Sequence, residues 1–178
     1  MYHAHKGGDG VKTRWMTLCA LFAALTAAGA QLTIPVGAVP VNLALLPLLV
    51  CAALLPRRYA LWSAAVYLGL GAAGLPVFAG MHGGLGTLLG PTGGYLAGYA
   101  ACAGITSILI EKEMHRLLAM AAGVAACYGI GTAWLMISSG LNLSQAVVMG
   151  VAPFLLGDIL KIIAADYLSK RLYLVVHT

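Results

Sequence analysis

Six long apolar runs decide what this chain can fold into: Trp15–Ile34, Ala38–Leu55, Tyr59–Phe78, Thr92–Ile110, Leu117–Ile137 and Ala146–Leu168. Each comes close to the roughly 20 residues that a helix needs to cross a hydrocarbon core about 30 Å thick. None alternates polar and apolar residues as a membrane strand does, and several are rich in Gly and Ala, so helices rather than a barrel are expected. With 61% hydrophobic and 8% charged residues, the 178-residue chain leaves little over for a soluble domain. The expectation is an all-α membrane protein: one bundle of six transmembrane helices over residues 15–172, with short tails over 1–14 and 173–178.

Charge placement orients the bundle. Lys6, Lys12 and Arg14 precede the first run, Arg57 and Arg58 join the second and third, Lys112 and Arg116 join the fourth and fifth, and Lys170 and Arg171 follow the sixth. The opposite connections, Val36–Asn42, Ala79–Pro91 and Ser138–Gln145, contain no Lys, Arg, Asp or Glu. The positive-inside rule therefore puts both termini in the cytoplasm of a multi-pass protein of the cytoplasmic (inner) membrane. On this reading the net charge of +5 is topological and implies no nucleic-acid partner. A competing parse takes the basic start, the apolar stretch and Ala28-Gly29-Ala30 as a cleavable secretory signal, which would leave five spans. The apolar character that continues to Ile34 argues against it.

Several chemistries are excluded or left without support. Cys19, Cys51, Cys102 and Cys127 fall in four different runs with no close pair, so neither a zinc site nor a disulfide framework is expected. His3, His5, His115 and His177 belong to cytoplasmic ends or loops, and His82 reads as a solvated residue of an outer loop. The chain has no phosphate-binding loop, no H-E-x-x-H and no G-x-S-x-G. It is read as neither an ATPase nor another enzyme, with no metal and no resident cofactor.

Against this background, Asp158 and Lys161 stand out in the last run, "GVAPFLLGDILKIIAADYLSKRL". At about 1.5 Å per residue, Lys161 lies ~14 Å and Asp158 ~18 Å beyond Lys170, near the bilayer midplane. Residues i and i+3 share one helix face, and helical side chains lean toward the N-terminus, here the outer end. Both head groups should face a cavity reached from outside. Because a central charge is disfavoured by several kcal/mol, such a pair serves a ligand or ion, or else is a neutralised pair that ties the bundle. Asp166, four residues before Lys170, reads as half of a surface pair at the inner interface.

Two further stretches bear on function. "FAGMHGGLGTLLGPTGGYLAGY" brings Gly80, Gly83, Gly84, Gly86 and Gly90 ahead of Pro91-Thr92, which suits either a lid over a cavity or plain turns, and Gly94-x-x-x-Gly98 suits close helix packing. In the first run Ala20, Ala24 and Ala28, with Ala23 and Ala27 beside them, form a smooth ridge for a neighbouring helix, inside the bundle or outside it.

Taken together, "IPVGAVPVNLALLPLL", "GLPVFAGMHGGLGTLLGPTGGYLAGY" and "GDILKIIAADYL" resemble the BioY family, the biotin-specific substrate-binding (S) components of energy-coupling-factor (ECF) transporters. The resemblance covers roughly Leu18 to Leu172. It implies six helices around a pocket in the outer half, closed by the first and third outer loops, that captures biotin as the transported ligand. Asp158 and Lys161 would be polar anchors, with Asn42, Phe78, Gly83, Gly84, Tyr95 and Tyr99 as further contacts. Biotin offers ureido N–H donors, a carbonyl, an apolar bicycle and a carboxylate, which suit a carboxylate, an ammonium and an apolar wall. The resemblance also implies that Ala20, Ala24 and Ala28 dock a transmembrane coupling (T) subunit driven by two ABC ATPases. Three departures are visible: Asn42 stands where many relatives have Thr, Ala44 stands where they have Gln, and no basic residue lies near Thr87, where some relatives carry one. The alternative from another class is a small proton- or ion-coupled carrier using Asp158 with Lys161 as its counter-charge.

Overall fold

A computed structural model describes residues 9–34 and 39–177. The sequence readings that fall on residues 1–8, 35–38 and Thr178, among them Lys6, His3, His5 and the tip of the first outer loop, lie outside the described residues. Eight helices are present there: α1 Asp9–Gln31, α2 Leu45–Leu54, α3 Arg57–Ala72, α4 Leu85–Leu89, α5 Gly93–Glu111, α6 Arg116–Ser139, α7 Leu143–Gly150 and α8 Leu155–His177. Between α1 and α2 lies an antiparallel hairpin of β1 (Thr33–Ile34) and β2 (Val41–Asn42), in the register Thr33↔Asn42 and Ile34↔Val41.

The protein is a mostly helical membrane protein. α5 and α6 are each long and apolar enough to cross a bilayer, and α7 with α8, which meet at a 51° bend, make a third span if counted as one. Three expected runs are corrected in detail. Ala38–Leu55 is not one helix: its first part forms β2 and a turn, and α2 has ten residues, about 15 Å of rise. The expected all-α character is amended by this hairpin. Tyr59–Phe78 ends as helix at Ala72, and Phe78 belongs to the loop beyond. Ala146–Leu168 is two helices, because the intervening Pro153 has no N–H to continue the ladder.

Local sequence explains the other boundaries. Pro56 stands just ahead of α3 with φ −53° and ψ 140°, and Gly140 closes α6 in the left-handed conformation at φ +65°, where a residue without Cβ is favoured. Asn142 and Gln145 form a reciprocal capping box at the start of α7.

Packing follows from the same residues. α2 is apolar all round and sits in the middle of the bundle, buried from Leu48 through Leu54 and packed on α1, α3, α5 and α8. The most extensive helix contact is between α5 and α6, where a Cβ on Gly98 would stand 3.0 Å from both Cα and O of Cys127. The packing role expected of Gly94 and Gly98 is therefore met. All four cysteines are buried free thiols. The expected Asp166–Lys170 pair is present at 2.6 Å, but it is not wholly a surface pair: the lysine side chain is 61% exposed and the carboxylate 10%.

Candidate functional site

A cavity of about 500 Å³, within the usual range for small-molecule sites of roughly 300–1,000 Å³, is built from several parts of the chain. α8 contributes Asp158 and Lys161, with Phe154 just ahead of it. α5 and α6 contribute Tyr95, Leu96, Tyr99, Val124, Cys127 and Tyr128. The hairpin side supplies Thr33, Val39, Pro40, Asn42 and Leu45, and Tyr67 comes from α3. The remaining wall is the segment after α3, through Phe78, Gly80, His82, Gly86, Thr87, Gly90 and Thr92.

The polar centre is compact. Lys161 Nζ donates to Asp158 Oδ1 at 2.6 Å, and Tyr128 Oη of α6 donates to Asp158 Oδ2 at 2.5 Å. The side chains of Lys161 and Asp158 are only 8% and 7% exposed, so both ions are removed from solvent and each depends on its partners. The bend ahead of α8 gives this carboxylate a further advantage. Asp158 falls in the first turn of α8, where unpaired backbone N–H groups favour negative charge. Had the last apolar run been one straight helix, Asp158 would have faced a saturated mid-helix backbone.

Around this centre the wall is largely aromatic. Tyr67 meets Phe78 edge-on at 5.5 Å and stacks on Tyr99 at 6.3 Å, and Tyr95 stacks on Phe154 at 6.4 Å. Asn42 joins the two sides: its Oδ1 accepts from Ala44 N at 3.0 Å and from Tyr99 Oη at 3.4 Å. That carbonyl caps the turn into α2, and the amide Nδ2 is the end that can donate to a ligand. Among the described lining residues Lys161 is the one lysine or arginine.

Of the residues singled out from sequence, Asp158, Lys161, Asn42, Phe78, Tyr95 and Tyr99 come together in this cavity. Gly83 and Gly84 do not line it. Gly83 packs against the Leu75 carbonyl so closely that a Cβ has no room, and Gly84, at φ +85°, donates its N–H to Gly71 O at 2.7 Å. They shape the wall from behind. His82, expected to be a solvated loop residue, is exposed and also lines the cavity. Tyr67, Tyr128 and Phe154 were missed. Phe154 lies four residues before Asp158, a spacing that shares a helix face, and a tyrosine in mid-span such as Tyr128 needs a hydrogen-bond partner; both signals were present in the sequence. The Ala20, Ala24 and Ala28 ridge lies elsewhere, exposed on the outside of α1, whereas Ala23 is buried against the bundle.

Such an arrangement suits a small ligand with an apolar body, an N–H donor for the carboxylate and an anionic or carbonyl oxygen for the ammonium. Comparison with known proteins points the same way. The BioY family profile matches residues 3–178. A probable biotin transporter from Pyrococcus horikoshii is 36% identical over 91% of this chain and 98% of its own length. A biotin transporter from Thermotoga maritima is 35% identical over 89% and 95%. The crystal structure of the S component for biotin from an ECF-type ABC transporter superposes with a TM-score of 0.87 at 26% identity, over 93% of this chain and 94% of that one. Matched along nearly its whole length in both sequence and fold, the chain belongs to the BioY family.

Proposed function

We propose that this chain captures biotin from the outer side of the membrane and acts as the S component of an ECF-type ABC transporter. The observation that carries the reading is the cavity centred on Asp158 and Lys161, in a fold shared with a biotin S component. In it the Asp158 carboxylate accepts an N–H of the ligand while the Lys161 ammonium meets an oxygen. Tyr67, Phe78, Tyr95, Tyr99 and Phe154 enclose the apolar bicycle, and Asn42 offers its amide N–H. Because the ion pair is already formed at 2.6 Å, a ligand has to replace or share bonds the two groups give each other. This favours a ligand that carries both a donor and an acceptor and disfavours a simple hydrocarbon.

The membrane arrangement proposed with it is six crossings, with α2 completed by the hairpin region and α7 plus α8 as the sixth, both ends cytoplasmic and the cavity opening outward. The placement of Arg57, Arg58, Lys112, Arg116, Lys170 and Arg171 at one end supports this orientation. Docking of a coupling (T) subunit, itself driven by two ATPases, is assigned to Ala20, Ala24 and Ala28, supported by their exposure along α1 beside Leu21 (49% exposed) and Leu25 (44%).

The test is calorimetry with biotin on the detergent-purified chain and on Asp158→Ala and Lys161→Ala. Binding by the parent and large losses in both variants are expected. A parent that does not bind biotin, or variants with the parent's affinity, would overturn the assignment.

A further inference from the structure

Gln31, the last residue of α1, does not line the cavity, yet its side chain holds the segment that walls it. The Met81 amide donates to Gln31 Oε1 at 3.0 Å, while Gln31 Nε2 donates to the Phe78 carbonyl at 3.1 Å and also lies within hydrogen-bond distance of Ala27 O at 3.3 Å and Pro76 O at 3.4 Å. The chemistry fixes the amide's orientation, since a backbone N–H can only donate and a backbone carbonyl can only accept. One side chain thus grips residues 76–81 as a paired strand would. The grip is needed there. Met81 has φ +60° without being glycine and Gly80 has φ +71°, and the turn's own ties are the bridge between Phe78 and His82 and the 2.8 Å hydrogen bond between His82 Nδ1 and the Ala79 carbonyl. Such a backbone is held by its surroundings rather than by its own preference.

The held residues matter to the cavity. Phe78 is 1% exposed, with its ring against Tyr67 and beneath Gly71, and Phe78 and His82 both line the wall. The same end of α1 also holds the first outer loop, because Leu43 N donates to Gly29 O at 3.0 Å. We infer that Gln31 is a positioning residue for ligand retention: it clasps the loop after α3 onto the end of α1, keeps Phe78 seated over the cavity, and thereby sets how long the ligand stays. The retention part rests on the proposed biotin function; the clasp itself does not.

Two measurements on the full-length purified chain separate these parts. Amide hydrogen exchange of the ligand-free protein should show the Met81 amide exchanging about tenfold faster in Gln31→Ala than in the parent, the size expected for losing a half-exposed clasp, and little changed in Gln31→Glu, which keeps the acceptor. Biotin dissociation should then be about tenfold faster in Gln31→Ala and intermediate in Gln31→Glu, with association changed less than about twofold, as expected of a change felt mainly in the off-rate. Unchanged exchange in Gln31→Ala overturns the clasp. Faster exchange with unchanged dissociation overturns its role in retention. A parent that fails to bind biotin sinks the proposed function, while the exchange experiment still decides the clasp.

Discussion

Replacing Lys161 and Asp158 singly and together separates what the pair does for stability from what it does for the ligand. In Lys161→Met the Asp158 carboxylate, with 7% of its side chain exposed, keeps the Tyr128 hydrogen bond but loses its counter-charge at 2.6 Å. Stranding one member of a buried pair costs about 3–5 kcal/mol, which for a chain of this size lowers the melting temperature by on the order of 10 °C. Asp158→Asn strands the ammonium instead and should cost a similar amount. The double variant Asp158→Asn/Lys161→Met removes both charges, leaves an amide that still accepts from Tyr128, and should recover most of the lost stability, because desolvating two ions offsets much of their attraction. Binding should behave oppositely and be lost in all three. Melting curves in detergent, read beside biotin calorimetry, give both quantities on the same samples. A double variant as unstable as the singles would show that the pair braces the bundle. A double variant that still binds biotin with the parent's affinity would show that the ligand does not use it.

Further outcomes are expected elsewhere. Tyr128→Phe removes one bond to a charged group and should weaken biotin affinity about tenfold, measured by calorimetry; unchanged affinity would mean that this hydroxyl does not set the carboxylate. Gly98→Ala places a Cβ 3.0 Å from the Cys127 backbone and should destabilise the chain by about 1–3 kcal/mol in thermal melts, whereas Gly129→Ala, with nothing within 4 Å, should be neutral or stabilising by up to about 1 kcal/mol. Equal effects of the two would contradict the close α5–α6 approach. Ala24→Trp on the exposed face of α1 should leave biotin binding by the isolated chain intact and abolish uptake in cells that also produce the coupling subunit and ATPases. Uptake at the parent's level would remove the ridge from the docking surface.

How much could be read in advance differs from residue to residue. Asp158 and Lys161 are legible because a charge in an apolar run is rare and their spacing of three puts them on one helix face. Asn42 and Phe78 were reached only through resemblance, since nothing in a loop's local sequence says which way it folds over a cavity. Gly83 and Gly84 were assigned to the ligand on that same ground, yet they serve the turn: one abuts a carbonyl, the other has positive φ, and both facts depend on the path of the chain after α3. Tyr128 sits 30 residues from the carboxylate it bonds, a distance that no periodicity encodes.

Taken alone, the order of residues settles the solvent and carries the charge bias on which the proposed orientation rests. Apolar runs of about 20 residues must be buried in lipid, and basic residues confined to one set of connections support the proposed sidedness. Pro153 marks the break in the last run, but the break in Ala38–Leu55 depends on the hairpin, which forms only where β1 finds β2 to share its backbone hydrogen bonds. What packing added is that Asp158, in the first turn of α8, comes together with Tyr128 of α6 and Lys161 in one desolvated place. Lipid favours apolar surface by area and without direction, whereas hydrogen bonds and ion pairs require particular atoms within about 3 Å of each other, and such proximity exists only once the chain has packed.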